Sequence, residues 1–210
     1  SLNSGGIRIK SIEYSIDELE ILFDDYLPEF EKVTIWNATV DAARMGDEVD
    51  KWFTEVLGRR CKLFYMPESS MRPVDTTSGF HPEGKFTSFA DAYPFMMLGE
   101  ASLNDLNSRM EEPISIRRFR PNIVFSGGSP FQEDEIEGFT INEVNFTGLE
   151  KCTRCMIPNV DPETGIFSKN REPLKTLLTY RLTGTKIEFG RNVVHSGTGI
   201  VNVGDKISLV

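Results

Sequence analysis

The sequence predicts an α+β chain that is mainly β, a barrel or sandwich carrying a few short helices. Three observations lead there. After Pro113, short apolar runs of strand length recur at regular spacing. Gly190, Gly197, Gly199 and Gly204 punctuate the last of these runs, as in closed antiparallel sheets. Helical periodicity, by contrast, is confined to brief segments.

Taken in order, residues 7–40 alternate apolar runs (Ile7, Ile9 and Ile12; Leu19, Ile21, Leu22 and Phe23; Val33, Ile35 and Trp36) with acidic stretches, which reads as strands and turns. Between Gly46 and Gly58, Val49, Trp52, Phe53, Val56 and Leu57 fall at i, i+3, i+4, i+7 and i+8. That spacing predicts an amphipathic helix, with Asp47 and Glu48 at its positive end and Gly58 closing it. Residues 61–66 read as a strand entering a loop. Residues 67–91 are dense in Pro, Gly, Ser, Thr and charge, a long connection that sets the expected boundary between a segment 1–70 and a domain 71–210.

Residues 93–98 predict a strand. A helix is then expected to open at Ser102, whose hydroxyl would cap it, with Leu103, Leu106 and Met110 inward. Strands are expected over 119–126, 138–142, 144–149 and 154–160. One helix interrupts them, with Pro173 in its first position and Leu174, Leu177 and Leu178 on one face. The tail from 185 to 210 reads as short strands broken by its glycines.

Composition narrows the function. The 210 residues are 39% hydrophobic and 26% charged, enough to bury a core. A net charge of -9 argues against nucleic acid, whose backbone is held by a basic surface, and makes any anion site a local one. Three cysteines, two of them only three positions apart, suit a reducing compartment better than a disulfide framework. No run approaches the roughly 20 apolar residues of a membrane span, and the start is not a signal peptide. The expectation is a cytoplasmic chain with no membrane partner.

Chemistry concentrates in two places. Cys152 and Cys155 lie beside Lys151 and Arg154, cations that favour the thiolate, the reactive and metal-binding form of sulfur. The pair could be a structural zinc site completed by Cys61, His81 or His195, a thioredoxin-like redox pair, two buried thiols, or one thiolate on a redox metal. The second place is residues 117–125. As a strand it would put Arg118, Arg120 and Asn122 on one face and Phe119, Pro121 and Ile123 on the other. Such a cationic stripe suits a phosphate or carboxylate, or else is a solvated face paired with Glu111 and Glu112. Asp91 could orient a ligand or act as an acid or base, or could serve turn chemistry. Residues 161–165 read as a tight hairpin turn. His195, beside Ser196 and Gly197, has no visible partner, and a Ser-His-Asp hydrolase reading lacks the glycine-flanked nucleophile turn.

These segments also resemble a known family in order and spacing. They are Phe89-Ala90-Asp91-Ala92-Tyr93-Pro94, the run Leu98 to Asn107, Arg118-Phe119-Arg120-Pro121-Asn122-Ile123-Val124, Cys152-Thr153-Arg154-Cys155, Asp161-Pro162-Glu163-Thr164-Gly165, the run Glu172 to Leu177, and Val203-Gly204-Asp205. Together, over residues 70–210, they resemble the MOSC family, the C-terminal domains of molybdenum cofactor sulfurases and their amidoxime-reducing relatives. The earlier segment looks like part of the β-barrel domain that precedes MOSC.

The resemblance implies a MOSC-type β-barrel holding the molybdenum cofactor, a molybdopterin whose pterin carries a dithiolene and a phosphate. Carried over by position, Cys155 ligates molybdenum and is catalytic, Thr153 and Arg154 contact the cofactor, Arg118, Arg120 and Asn122 contact phosphate or pterin, and Asp91 is a catalytic carboxylate near the metal. A soft sulfur suits such a centre and a cationic stripe suits its phosphate. The implied activity is reduction of N-hydroxylated small molecules, with electrons from an iron-sulfur or haem partner, since three cysteines are too few for a plant-type cluster. The alternatives are a sulfur carrier, with a persulfide on Cys155 or a pyridoxal-phosphate desulfurase as partner, and a binding domain whose site has lapsed. The family's opening Tyr-Pro-Ile-Lys-Ser strand has only an echo in Ile9-Lys10-Ser11, and the chain begins with Ser, so the first segment is expected to be trimmed.

Overall fold

A computed structural model describes residues 2–3, 5–74 and 82–210. Strands take 34% of the chain and helices 18%, so the fold is α+β and mainly β, as its sequence predicts. The chain divides into two compact units, Ser1–Pro73 with Phe86–Asp91, and Val74–Lys85 with Ala92–Val210.

The first unit opens with strands β1 (Leu2–Asn3), β2 (Gly6–Ile9) and β3 (Leu19–Leu22) in one antiparallel sheet. β4 (Phe30–Ile35), β5 (Ala38–Arg44), helix α1 (Asp47–Leu57) and β6 (Phe64–Tyr65) follow, with β5 central in a second antiparallel sheet. β7 (Arg72–Pro73) pairs with β8 (Phe86–Thr87). The apolar face of α1 delivers Val49 and Phe53 to a core with Ile21 and Met45. Gly58 ends the helix in the left-handed conformation, at φ 64°, where the residue after a helix favours glycine. The strand expected over 61–66 shrinks to two residues because the Cys61 amide is taken by the Thr54 hydroxyl, 3.2 Å away.

The second unit contains β9 (Phe95–Gly99), α2 (Glu100–Ser108), β10 (Ile123–Phe125), β11 (Gly138–Ile141), β12 (Val144–Thr153), α3 (Leu174–Leu178), β13 (Leu182–Thr183), β14 (Lys186–Ser196) and β15 (Ile207–Leu209). They form one sheet in the order β10-β9-β14-β12-β11-β15, with β13 attached to β14, and the sheet curls into a nearly closed barrel. Among the described strands of this unit, only β10 and β9 pair in parallel. Side chains alternate across a strand, so Met97 of β9 joins Phe139, Phe146 and Val193 on one side, while Met96 and Leu98 join Leu106, Phe119, Leu177 and Phe189 on the other.

Several local expectations are corrected. β14 runs unbroken through Gly190, because the glycine serves close packing: at φ 89°, a Cβ there would lie 2.7 Å from Met96 Sδ and 3.0 Å from the Met97 carbonyl. Helix α2 starts two residues before Ser102, leaving that hydroxyl inside the first turn, where it donates to Glu133 (2.8 Å) and accepts from the Phe131 amide (2.8 Å). Residues 116–119 and 157–159 are 3-10 turns, so the strands expected over 119–126 and 154–160 are replaced by a turn and a short strand, and by a turn. Pro173 precedes α3, and Leu178 is half exposed while Leu177 is fully buried.

Candidate functional site

β12 leads to the first cysteine pair. It carries two register shifts against β14, between Gly148 and Lys151 and between Lys151 and Thr153, which re-aim its last side chains. Thr153 ends the strand and is exposed. The Arg154 amide is then fixed to the Ile187 carbonyl at 2.8 Å. The two thiols part company here. Cys152 packs against the Phe119 and Phe189 cluster, whereas Cys155 is exposed.

Arg154 holds this separation in place. Its Nη1 donates to Cys152 Sγ at 3.0 Å and its Nη2 to the Phe119 carbonyl at 2.9 Å, with the guanidinium 5.3 Å from the Phe119 ring centroid. Nε of the same group is buried without an acceptor among the described residues. Beyond Cys155, Pro158 and Asn159 are buried in the 157–159 turn, and Asn159 Oδ1 accepts from the Leu174 amide at 3.2 Å. The segment carrying Cys155 is therefore anchored on both sides.

The cationic stripe is built differently from the expected strand face. Ser115 Oγ accepts from the Arg117 amide at 3.2 Å, opening a 3-10 turn that turns Ile116 and Phe119 into the core. Pro121 has no amide to donate, so pairing with β9 begins only after it. Arg118, Arg120 and Asn122 consequently do not share a strand face. Arg118 Nη2 donates to Asp161 Oδ2 (2.8 Å) and Nη1 to the Pro158 carbonyl (3.4 Å). Asn122 clasps Met96 with both its amide (2.9 Å) and its side-chain oxygen (2.9 Å), which sets the register of β10. Arg120 is left-handed at φ 54° and exposed; its amide donates to the Arg117 carbonyl (3.2 Å), while its guanidinium has no hydrogen-bond or ion-pair partner among the described residues. It lines an open hollow of ≈ 390 Å³ with Ile116, Arg117, Pro121, Val124 and Pro162.

Arg118 and Arg154 bring Cys155 and Arg120 onto adjoining loops. Each guanidinium ties the 116–119 turn to the cysteine segment, one just before Cys155 and the other just after it. Asp161 supports the second tie. Its Oδ1 accepts from the Glu163 (2.9 Å) and Thr164 (3.1 Å) amides, and these, with the Arg118 charge, hold its carboxyl below the ordinary range. Sequence reasoning assigned residues 161–165 only a turn; the turn is present, but its first residue also faces Arg118.

Asp91 belongs to the first unit, where its carboxylate accepts from the indole of Trp36. Arg72, not singled out by sequence, is buried and donates to the Ser88, Ala90 and Asp91 carbonyls, fixing the backbone that presents Asp91. An arginine inside a Pro- and Ser-rich connection carries no periodic signal that would mark it. His81 lies outside the described residues. His195 packs edge-on against Phe95, ring centroids 5.4 Å apart. Among the described residues, no three His, Cys, Asp or Glu side chains gather to hold a metal ion, so the zinc reading of the cysteine pair lacks ligands there. No described helix is long and apolar enough to cross a membrane.

Comparison with known proteins fits this architecture. The MOSC domain model matches residues 85–208. The chain is 34% identical over 180 residues to mitochondrial amidoxime-reducing component 1 of Danio rerio, covering 82% of this chain and 55% of that protein. Against the Homo sapiens protein of the same name it is 33% identical over 190 residues, 85% of this chain and 56% of the relative. It is also 32% identical over 186 residues to molybdenum cofactor sulfurase of Arabidopsis thaliana, covering 82% of this chain and 23% of the relative. The chain thus spans about half the length of the amidoxime-reducing relatives. A family model matching more than half of the chain, over the barrel that carries Cys155, makes this protein a member of the MOSC domain family.

Proposed function

We propose that the second unit binds the molybdenum cofactor, with Cys155 as the metal's protein ligand, and that the protein reduces N-hydroxylated small molecules. One observation carries the reading: Cys155 is an exposed thiol on a loop tied to the turn that ends in the unpaired cation Arg120. The residues present fit the group. A thiolate is a soft ligand of the kind a sulfur-rich redox metal takes. Arg120 suits a phosphate, and Arg154, next in sequence to Cys155, has a buried Nε without an acceptor among the described residues. The dithiolene of the pterin would supply further sulfur ligands to the metal.

The cofactor would supply a metal that cycles between two oxidation states. The chain's own part is to present an exposed thiol on an anchored loop and to place a cation for an anionic tail; the cofactor contacts proposed for Thr153 and Asn122 rest on their motifs. The name of the amidoxime-reducing relatives supports reduction as the reaction. Electrons would arrive from a separate iron-sulfur or haem protein. The role proposed for Asp91 rests on its motif alone. No observation favours the sulfur-carrier alternative.

Molybdenum content per chain, measured after expression in a host that makes the cofactor, tests the proposal. Cys155→Ser should lose the metal, and Arg120→Ala should lower it by about tenfold, as expected for a charge-assisted phosphate pair. Molybdenum retained at the original level in Cys155→Ser refutes the assignment.

A further inference from the structure

Two ties hold the Cys155 segment against the 116–119 turn, and they differ in how they are built. The Arg154 tie is embedded among Phe119 and Cys152. The Arg118 tie depends on a charge supplied from elsewhere in the chain. Arg118 Nη1 reaches the Pro158 carbonyl at 3.4 Å, a long bond, while its short bond of 2.8 Å is to Asp161 Oδ2. The Arg118 side chain is 14% exposed and the Asp161 side chain 34%. A guanidinium so placed needs its anionic partner to stay pointed at the turn.

Asp161 is itself fixed with unusual completeness. Its amide donates to the Ile166 carbonyl (2.9 Å), its carbonyl accepts from the Gly165 amide (2.8 Å), and Oδ1 accepts two further amides, leaving Oδ2 aimed at Arg118. The turn is closed at its base by the bridge between Val160 and Phe167. A rigid turn therefore presents one carboxylate oxygen to one arginine, and that arginine grips the carbonyl three residues beyond Cys155.

We propose that Asp161 is a positioning residue for the Cys155 thiol, acting through Arg118 on the Pro158 carbonyl. Among the described residues its hydrogen bonds go to Arg118 and to the backbone of its own turn, none of them to Cys155. The proposal deepens the cofactor-binding reading, and its test is chosen so that the two can fail separately. Asn at position 161 keeps the acceptor oxygen for the Glu163 and Thr164 amides and so keeps the turn, while its NH2 replaces the oxygen that faces Arg118 and removes both charge and acceptor from that tie.

The experiment measures the rate at which Cys155 of the cofactor-free protein reacts with iodoacetamide, followed by intact mass in a Cys61→Ser, Cys152→Ser background, beside molybdenum content of the loaded protein. Asp161→Asn should speed alkylation by about threefold, the scale of one lost partly exposed ion pair. Arg118→Gln should match Asp161→Asn, and the double variant should add nothing, because both act on one tie. Equal alkylation rates in the parent and Asp161→Asn overturn the inference, whatever the molybdenum content. Additive effects of the two variants overturn it as well. Loss of metal in Cys155→Ser bears on the cofactor reading alone.

Discussion

Arg154 illustrates how one side chain can decide the fate of two cysteines. Its guanidinium spans Cys152 Sγ and the Phe119 carbonyl while covering the Phe119 ring, and a planar fork is the only cationic group that can reach both acceptors in one plane. Lysine has a single nitrogen on a flexible stem. Arg154→Lys should therefore leave one of the two acceptors unmet and cost about 1–2 kcal/mol in the free energy of unfolding, the penalty for stranding a partly buried polar group. Urea unfolding of the two proteins measures it. An unchanged midpoint would mean that the Phe119 carbonyl finds another donor. The charge of Arg154 was readable beside Cys155, but its grip on Phe119 was not, because the two residues are far apart in sequence and no periodicity links them.

At the scale of elements, β14 is the spine of the second unit, paired with β9 on one side and β12 on the other. Its glycine reads in sequence as a break because glycine usually punctuates strands. Position 190 instead lets β9 approach so closely that no Cβ fits between Met96 Sδ and the Met97 carbonyl. Gly190→Ala combines that overlap with a positive φ and should destabilise the protein by about 2–3 kcal/mol. Thermal unfolding tests this, and a loss under about half a kcal/mol would show that the strands can part at little cost. The same contrast explains the elements that sequence reading found and missed. Helix α1 was legible because five apolar residues repeat at helical spacing between two glycines, and β11 because its alternation is clean. The 116–119 and 157–159 turns were not, since three or four residues are too few to show a period and the side chains that brace them, Ser115 Oγ on the first and the distant Arg118 on the second, leave no repeat to read.

For the molecule as a whole, legibility divides in the same way. Family membership and the barrel could be read from motif order, whereas the sharing of work among Arg118, Arg120 and Asp161 required coordinates, because charge pairing across forty residues leaves no local mark. Acid and base likewise pull on the fold through particular groups. Asp105, beside Arg109, has its carboxyl held below the ordinary range, so the stability it contributes is present above that range and fades as pH falls through the lowered value. Glu133 acts in the opposite sense. It is fully buried, accepts a hydrogen bond from Ser102, and has Oε1 without a partner among the described residues, so burial pushes its carboxyl up. The protonated form suits the folded state, and the stability tied to it is complete below the ordinary glutamate value and lost as pH rises through the raised one. Gln at this position keeps an acceptor for Ser102 and never ionises. Glu133→Gln should therefore unfold at a higher denaturant concentration than the parent at pH 7, with the gap narrowing steadily towards pH 4 as the parent's carboxyl takes up its proton. Unfolding midpoints across that range measure the gap. A gap of constant size would assign the effect to packing, and a parent more stable than the variant at neutral pH would mean that the carboxylate is held charged by a partner inside the fold.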